Sequence, residues 1–87
     1  MKHAGQEAIT RLEDVLAELR EIDVLKEKRP GVFYRRSKAF LHFHEDPAGL
    51  FGDVRLSGED FTRMAVNTAA ERKRLVKAVR AALGDSF

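Results

Sequence analysis

The sequence predicts an α+β protein of two layers, with an N-terminal and a C-terminal helix packed on one face of a roughly four-stranded antiparallel sheet. Three observations predict it. Apolar residues recur at helical spacing near both ends, β-branched and aromatic residues crowd the middle, and turn-forming residues punctuate that middle at hairpin intervals.

At the N-terminal end Ile9, Leu12, Leu16 and Leu19 form an apolar stripe that Val15 and Ile22 widen, with charged residues elsewhere, which predicts a helix over residues 6–22. Asp23 is placed to cap a further short helical turn over 24–28. Arg29-Pro30-Gly31 then ends helical structure, since proline disfavours helix in the residue before it.

Every aromatic residue except Phe87 lies between Phe33 and Phe61, and strands are expected at 32–36, 39–45, 50–56 and 61–66. Ser37-Lys38 reads as the first turn and Ser57-Gly58-Glu59-Asp60 as the last. Between them, Asp46-Pro47-Ala48-Gly49 puts Asp, Pro and Gly where a type I turn prefers them, so the second and third strands form a hairpin. Thr68-Ala69-Ala70-Glu71 has the form of a capping box and opens a second helix, whose stripe is Leu75, Val76, Val79, Ala82 and Leu83. Gly84 suits the left-handed residue past its end.

Strand pairing follows from matching apolar positions, because a slip of one residue exchanges the two faces of a sheet. The expected registers set Tyr34 across from Leu41, Val32 from Phe43, Leu41 from Val54 and Ala39 from Leu56. The core face is then Val32, Tyr34, Leu41, Phe43, Val54 and Leu56, joined by Met64 and Val66. The same registers put Phe33, Arg35, Phe40, His42, His44, Phe51, Asp53 and Arg55 on the opposite face, with Phe61 and Arg63 beside them. Uncovered sheet faces normally carry plain polar residues, and this one mixes rings with cations.

Length and composition bound the rest. Eighty-seven residues make a single domain over 1–87, and the absence of Cys removes disulfides, thiolate ligands and Cys nucleophiles. No run of about 18 apolar residues is present to span a membrane, and residues 1–6 lack the apolar stretch of a secretory signal, so the chain reads as cytoplasmic. The formal charge is only +2, unevenly spread: seven acids against five bases over residues 7–29, and one acid against five bases over 69–83. Glu7, Asp14, Glu18 and Glu21, and on the last helix Arg72, Lys73, Lys77 and Arg80, read first as solvated helix faces.

His42-Phe43-His44-Glu45-Asp46 is the most site-like string. Two histidines two apart on a strand point the same way, and Asp53 lies across from His42, so His42, His44 and Asp53 form an alternative metal-ligand set. With no further ligand at a recognisable spacing, a surface His–Asp pair is the favoured reading and no metal or cofactor is expected. No phosphate-binding glycine loop, nucleophile elbow or HExxH is present, and Ser37 and Ser57 have no base beside them by spacing, so the chain is not expected to be an enzyme.

Residues 29–51, from Arg29-Pro30-Gly31-Val32-Phe33-Tyr34 through His42-Phe43-His44 to Gly49-Leu50-Phe51, resemble a family of short bacterial conserved hypothetical proteins of unknown function. The resemblance implies a cytoplasmic bacterial protein and no particular activity. More remotely, the order helix, strands, helix is similar to the YjbR-like and frataxin-like group, in which DNA binding and iron binding are both described; that likeness is one of fold and carries no residue across.

The sequence therefore points to a non-catalytic binding or interaction module using the ring-and-cation face, through Phe33, Arg35, Phe40, His42, His44, Phe51, Asp53 and Arg55. The sequence does not identify the partner; another protein and a second copy of the chain are the two it offers. Single-stranded nucleic acid, bound through that face and the basic last helix, is an alternative that is not favoured, since no RNP-like motif is present. Divalent metal at the His/Asp cluster is the other. Self-satisfied Arg–Phe pairs, Arg35 and Arg55 each against Phe40, would explain the face without any ligand.

Overall fold

The computed structural model describes residues 2–84. In chain order the elements are β1 (Lys2–His3), α1 (Gln6–Arg11), α2 (Glu13–Arg20), β2 (Leu25–Arg29), β3 (Val32–Arg35), β4 (Lys38–Asp46), β5 (Gly49–Val54), β6 (Thr62–Ala65) and α3 (Ala69–Ala82). The α+β class, with an antiparallel sheet between terminal helices, is as the sequence predicts. The strands number more than four: β2-β3-β4-β5-β6 run in that order, and β1 adds to β4 off this path.

The expected first helix is present but notched at Leu12, whose N–H reaches both Ala8 O and Ile9 O before Leu16 N–H resumes the ladder on Leu12 O. Fully buried Leu12 keeps the apolar stripe continuous across the notch. It ends at Arg20 rather than 22.

The short helical turn expected over 24–28 does not form; this segment is strand β2. Leu25 and Glu27 face the helices and the lysines between and after them face away, an alternation that suits a strand. The hairpin through Pro30-Gly31, with Gly31 at φ 79°, pairs β2 with β3, whereas five residues alone are too short to hold a helix. Glu27 fastens α2 to this hairpin. Its carboxylate accepts from Arg20 Nε at 2.6 Å and Nη2 at 3.0 Å, and from the Gly31 N–H at 3.0 Å.

The β4–β5 hairpin has the expected register, with Leu41 across from Val54 and His42 across from Asp53. Asp46 Oδ1 accepts the Ala48 N–H at 2.8 Å and so braces the turn. The β3–β4 pairing departs from expectation. Its loop is Arg36-Ser37, not Ser37-Lys38, and Phe40 is an extra residue that shifts the register. Tyr34 therefore meets Ala39, Phe33 meets Leu41 and Val32 meets His42.

A one-residue change of register swaps faces. Phe33, expected on the open face, is 1% exposed in the apolar core. Tyr34 leaves the core for the other side, where the Lys28 ammonium lies 5.7 Å from its ring centre. Val32 is buried but stands outside the core cluster. Phe40, also expected on the open face, is 4% exposed and belongs to the core cluster, because a bulge directs both of its residues to much the same side.

Thr68 opens α3 with the predicted capping box, its Oγ accepting the Glu71 N–H at 3.1 Å while Glu71 Oε1 accepts the Thr68 N–H at 3.1 Å. Arg72 ties α3 to the rest: it donates to Asp14 of α2 at 3.0 Å and to the carbonyls of Val66 and Asn67 at 3.1 Å each. All three helices share one buried cluster with Leu25, Phe33, Phe40, Leu41, Phe43, Leu50, Val54 and Val66, so they lie on one side of the sheet. Among the described residues no helix is long and apolar enough to cross a membrane.

Candidate metal centre

Across the sheet from the helices, alternation along β4 and β5 brings His42, His44, Phe51 and Asp53 to one surface, with His42 paired to Asp53 and His44 to Phe51. β6 adds Arg63, which pairs with Asp53. β1 adds His3, the Cα partner of His44. The chain has three histidines, and all of them stand here although 38 residues separate His3 from the other two.

The rings form one cluster. The His42 and His44 centroids are 4.4 Å apart at 81°; His3 lies 5.2 Å from His44 and is stacked 5.9 Å from His42. His42 Nδ1 and His44 Nε2 face each other in direct contact. His44 Nε2 also stands 3.4 Å from Asp53 Oδ2. One donor atom from each of His42, His44 and Asp53 lies within 4.8 Å of the others, as a shared cation requires.

Burial sharpens this geometry. His44 is 9% exposed and the Asp53 side chain 13%, on a sheet face that no helix covers. Phe61 provides part of the wall, its ring 4.9 Å from that of His42. Asp53 is held in place by Arg63, whose Nε and Nη2 donate to its two oxygens at 3.0 and 3.2 Å. The His44 ring keeps Nε2 in the cluster, and among the described residues its buried Nδ1 has no hydrogen-bond partner. An unpaired buried polar atom costs about 1–3 kcal/mol, an expense that tends to persist at functional positions.

Burial pushes the His42 pKa down; His44, His3 and Arg55 push the same way and Asp53 opposes them. The shift favours the neutral ring, the form in which imidazole ligates metal.

The remaining residues expected on this face are engaged elsewhere. Arg55 does not pair with Phe40. Its guanidinium lies 4.4 Å from the Phe61 ring centre, and it donates to Ala39 O at 2.7 Å and to Glu59 O at 2.5 Å. Arg63 lies 5.7 Å from the Phe51 ring centre. Arg35 is exposed beside the β3–β4 loop and pairs with Lys38 on the ladder, away from the histidines. Of the expected site residues the structure thus gathers His42, His44, Phe51 and Asp53, leaves Arg35 and Arg55 at the margin, and places Phe33 and Phe40 inside.

His3 is the residue that sequence reasoning missed. Two residues of β1 are too few to show an alternating pattern, and only the rarity of histidine in the chain pointed to it. Comparison with protein families, with curated proteins and with solved structures finds no match.

Proposed function

We propose that this chain is a non-catalytic binding module whose working surface is the sheet face away from the helices, and that its ligand is a divalent transition-metal ion held by His42, His44 and Asp53. The observation that carries the reading is the convergence of His42 Nδ1, His44 Nε2 and an Asp53 oxygen within 4.8 Å. Two imidazoles and a carboxylate suit zinc and its neighbours, and the all-oxygen shells preferred by calcium and magnesium are lacking here.

Two things favour this reading over recognition of a base or a phosphate by the same face. Phe33 and Phe40, the rings that would stack on a base, lie in the apolar core. Arg55 and Arg63, the cations that would hold a phosphate, already bond backbone carbonyls or Asp53. Among the described residues His44 Nδ1 has no hydrogen-bond partner, so Nε2 is the ring nitrogen that meets polar groups.

Calorimetric titration of the tag-free chain with zinc chloride tests the proposal. One site per chain is expected, with binding lost or weakened by about two orders of magnitude in both His42→Ala and His44→Ala. Heats indistinguishable from dilution, or equal affinity in wild type and both variants, reject it. Short single-stranded DNA and RNA serve as the competing arm; binding to them that His44→Ala leaves intact, with no zinc binding, favours the nucleic-acid reading instead.

A further inference from the structure

We infer that His3 is a fourth ligand and that the metal ion latches the N-terminal strand onto the sheet, an inference that rests on the metal reading above. Strands β1 and β3 share one edge of β4: β3 pairs with it as far as His42, and β1 takes Glu45 and His44 beyond. That arrangement puts His3 directly beside His44 on the same face, and the ring reaches across to stack on His42. A histidine from a separate piece of chain thus caps the cluster from the side that β5 does not occupy. The His3 ring is exposed, and a turn of its side chain is required to bring a nitrogen to the three donor atoms that already lie together.

The coordination chemistry asks for such a residue. Zinc in a site that does no chemistry is almost always four-coordinate and tetrahedral, and His42, His44 and Asp53 supply three positions. A His3 nitrogen closes the shell as three nitrogens and one oxygen, leaving no place for an exchangeable water and hence no catalytic hydroxide.

The strand needs the ion in turn. Just after the two ladder residues of β1, the Ala4 N–H donates to Phe43 O at 3.2 Å and the Gly5 N–H makes a long contact with Glu45 Oε2 at 3.4 Å. A strand of two residues has few ladder bonds to hold it, and such a strand opens readily unless something else ties it down. A bond from His3 to an ion already held by β4 and β5 is such a tie. Metal occupancy then decides whether the N-terminal strand is docked ahead of α1, or loose and available for other contacts.

Hydrogen exchange with and without one equivalent of zinc, on wild type and on His3→Ala, tests the latch alongside zinc affinity. In wild type the Ala4 amide should exchange at least about tenfold more slowly when zinc is bound. In His3→Ala that slowing should vanish, and zinc should bind more weakly by at least the about 10–100-fold that even an outer partner of a metal site supplies. His3 is exposed, so the variant is expected to fold, and the exchange of the Leu41 and Val54 amides checks that it has. Equal zinc affinity in the two proteins, or an Ala4 amide indifferent to zinc, overturns the latch and leaves the three-ligand site standing. Failure of wild type to bind zinc at all overturns both.

Discussion

Gly52 lies directly across the β4–β5 ladder from Phe43, and a Cβ built on it would stand 3.2 Å from Phe43 Cε1. Phe43 is fully buried and cannot retreat. The ring therefore occupies the space that a side chain at Gly52 would need, with Leu41 Cδ1 a further 3.5 Å neighbour. Gly52→Ala should destabilise the protein by about 1–3 kcal/mol through overpacking, despite the better strand propensity of alanine, as read by urea unfolding. A neutral or stabilising result would mean that the core has more room than this contact implies.

Arg36, the first residue of the two-residue β3–β4 loop, has φ 60°, the only positive φ of a non-glycine residue among those described. A hairpin turn with positive φ at its first central position favours glycine there. Holding an L-residue in that region costs roughly 1–2 kcal/mol, against about 0.5–1 kcal/mol of extra chain entropy lost by glycine. Arg36→Gly should thus raise the unfolding free energy by about 0.5–1 kcal/mol, and Arg36→Val should lower it. Chemical denaturation of the two variants checks both signs.

The Glu27 carboxyl is set by opposing effects. Burial raises its pKa, but the hydrogen bonds from Arg20 and the Gly31 N–H, with the Arg20 charge, outweigh burial and hold it below the ordinary glutamate range. A depressed folded pKa means that the unfolded chain takes up the proton first as pH falls. The stabilisation is complete above the ordinary glutamate pKa and disappears as pH drops through the lowered folded value. Unfolding experiments from pH 7 down to pH 3 should therefore find wild type more stable than Glu27→Gln at neutral pH, with the gap closing in acid. A gap that widens in acid would contradict this account of the Arg20–Glu27 clasp.

Much of this molecule is legible in its sequence because its strongest signals are local. The Thr68 capping box, the Asp46-Pro47 turn and the Leu41–Val54 register each follow from a few adjacent residues. Structure departs from local pattern where non-local pairing decides the outcome. Residues 25–29 carry a pattern readable as helix or strand, and only the edge offered by β3 selects strand. The inward positions of Phe33 and Phe40 are not legible because a bulge leaves no mark in the sequence, yet it moves one ring by register and the other by local geometry. For the candidate site, the alignment of His42 with His44 follows from strand periodicity, and that of Asp53 from the register set by the Asp46-Pro47 turn. Its completion by His3 depends on a strand of two residues.

The central claim is an ion between β4 and β5, and anomalous diffraction from crystals of the tag-free chain grown with one equivalent of zinc tests it most directly. One peak is expected at the zinc edge, about 2.0–2.2 Å from His42 Nδ1, His44 Nε2 and an Asp53 oxygen. A peak at other residues, or an empty cluster with the two imidazoles still in contact, would contradict it.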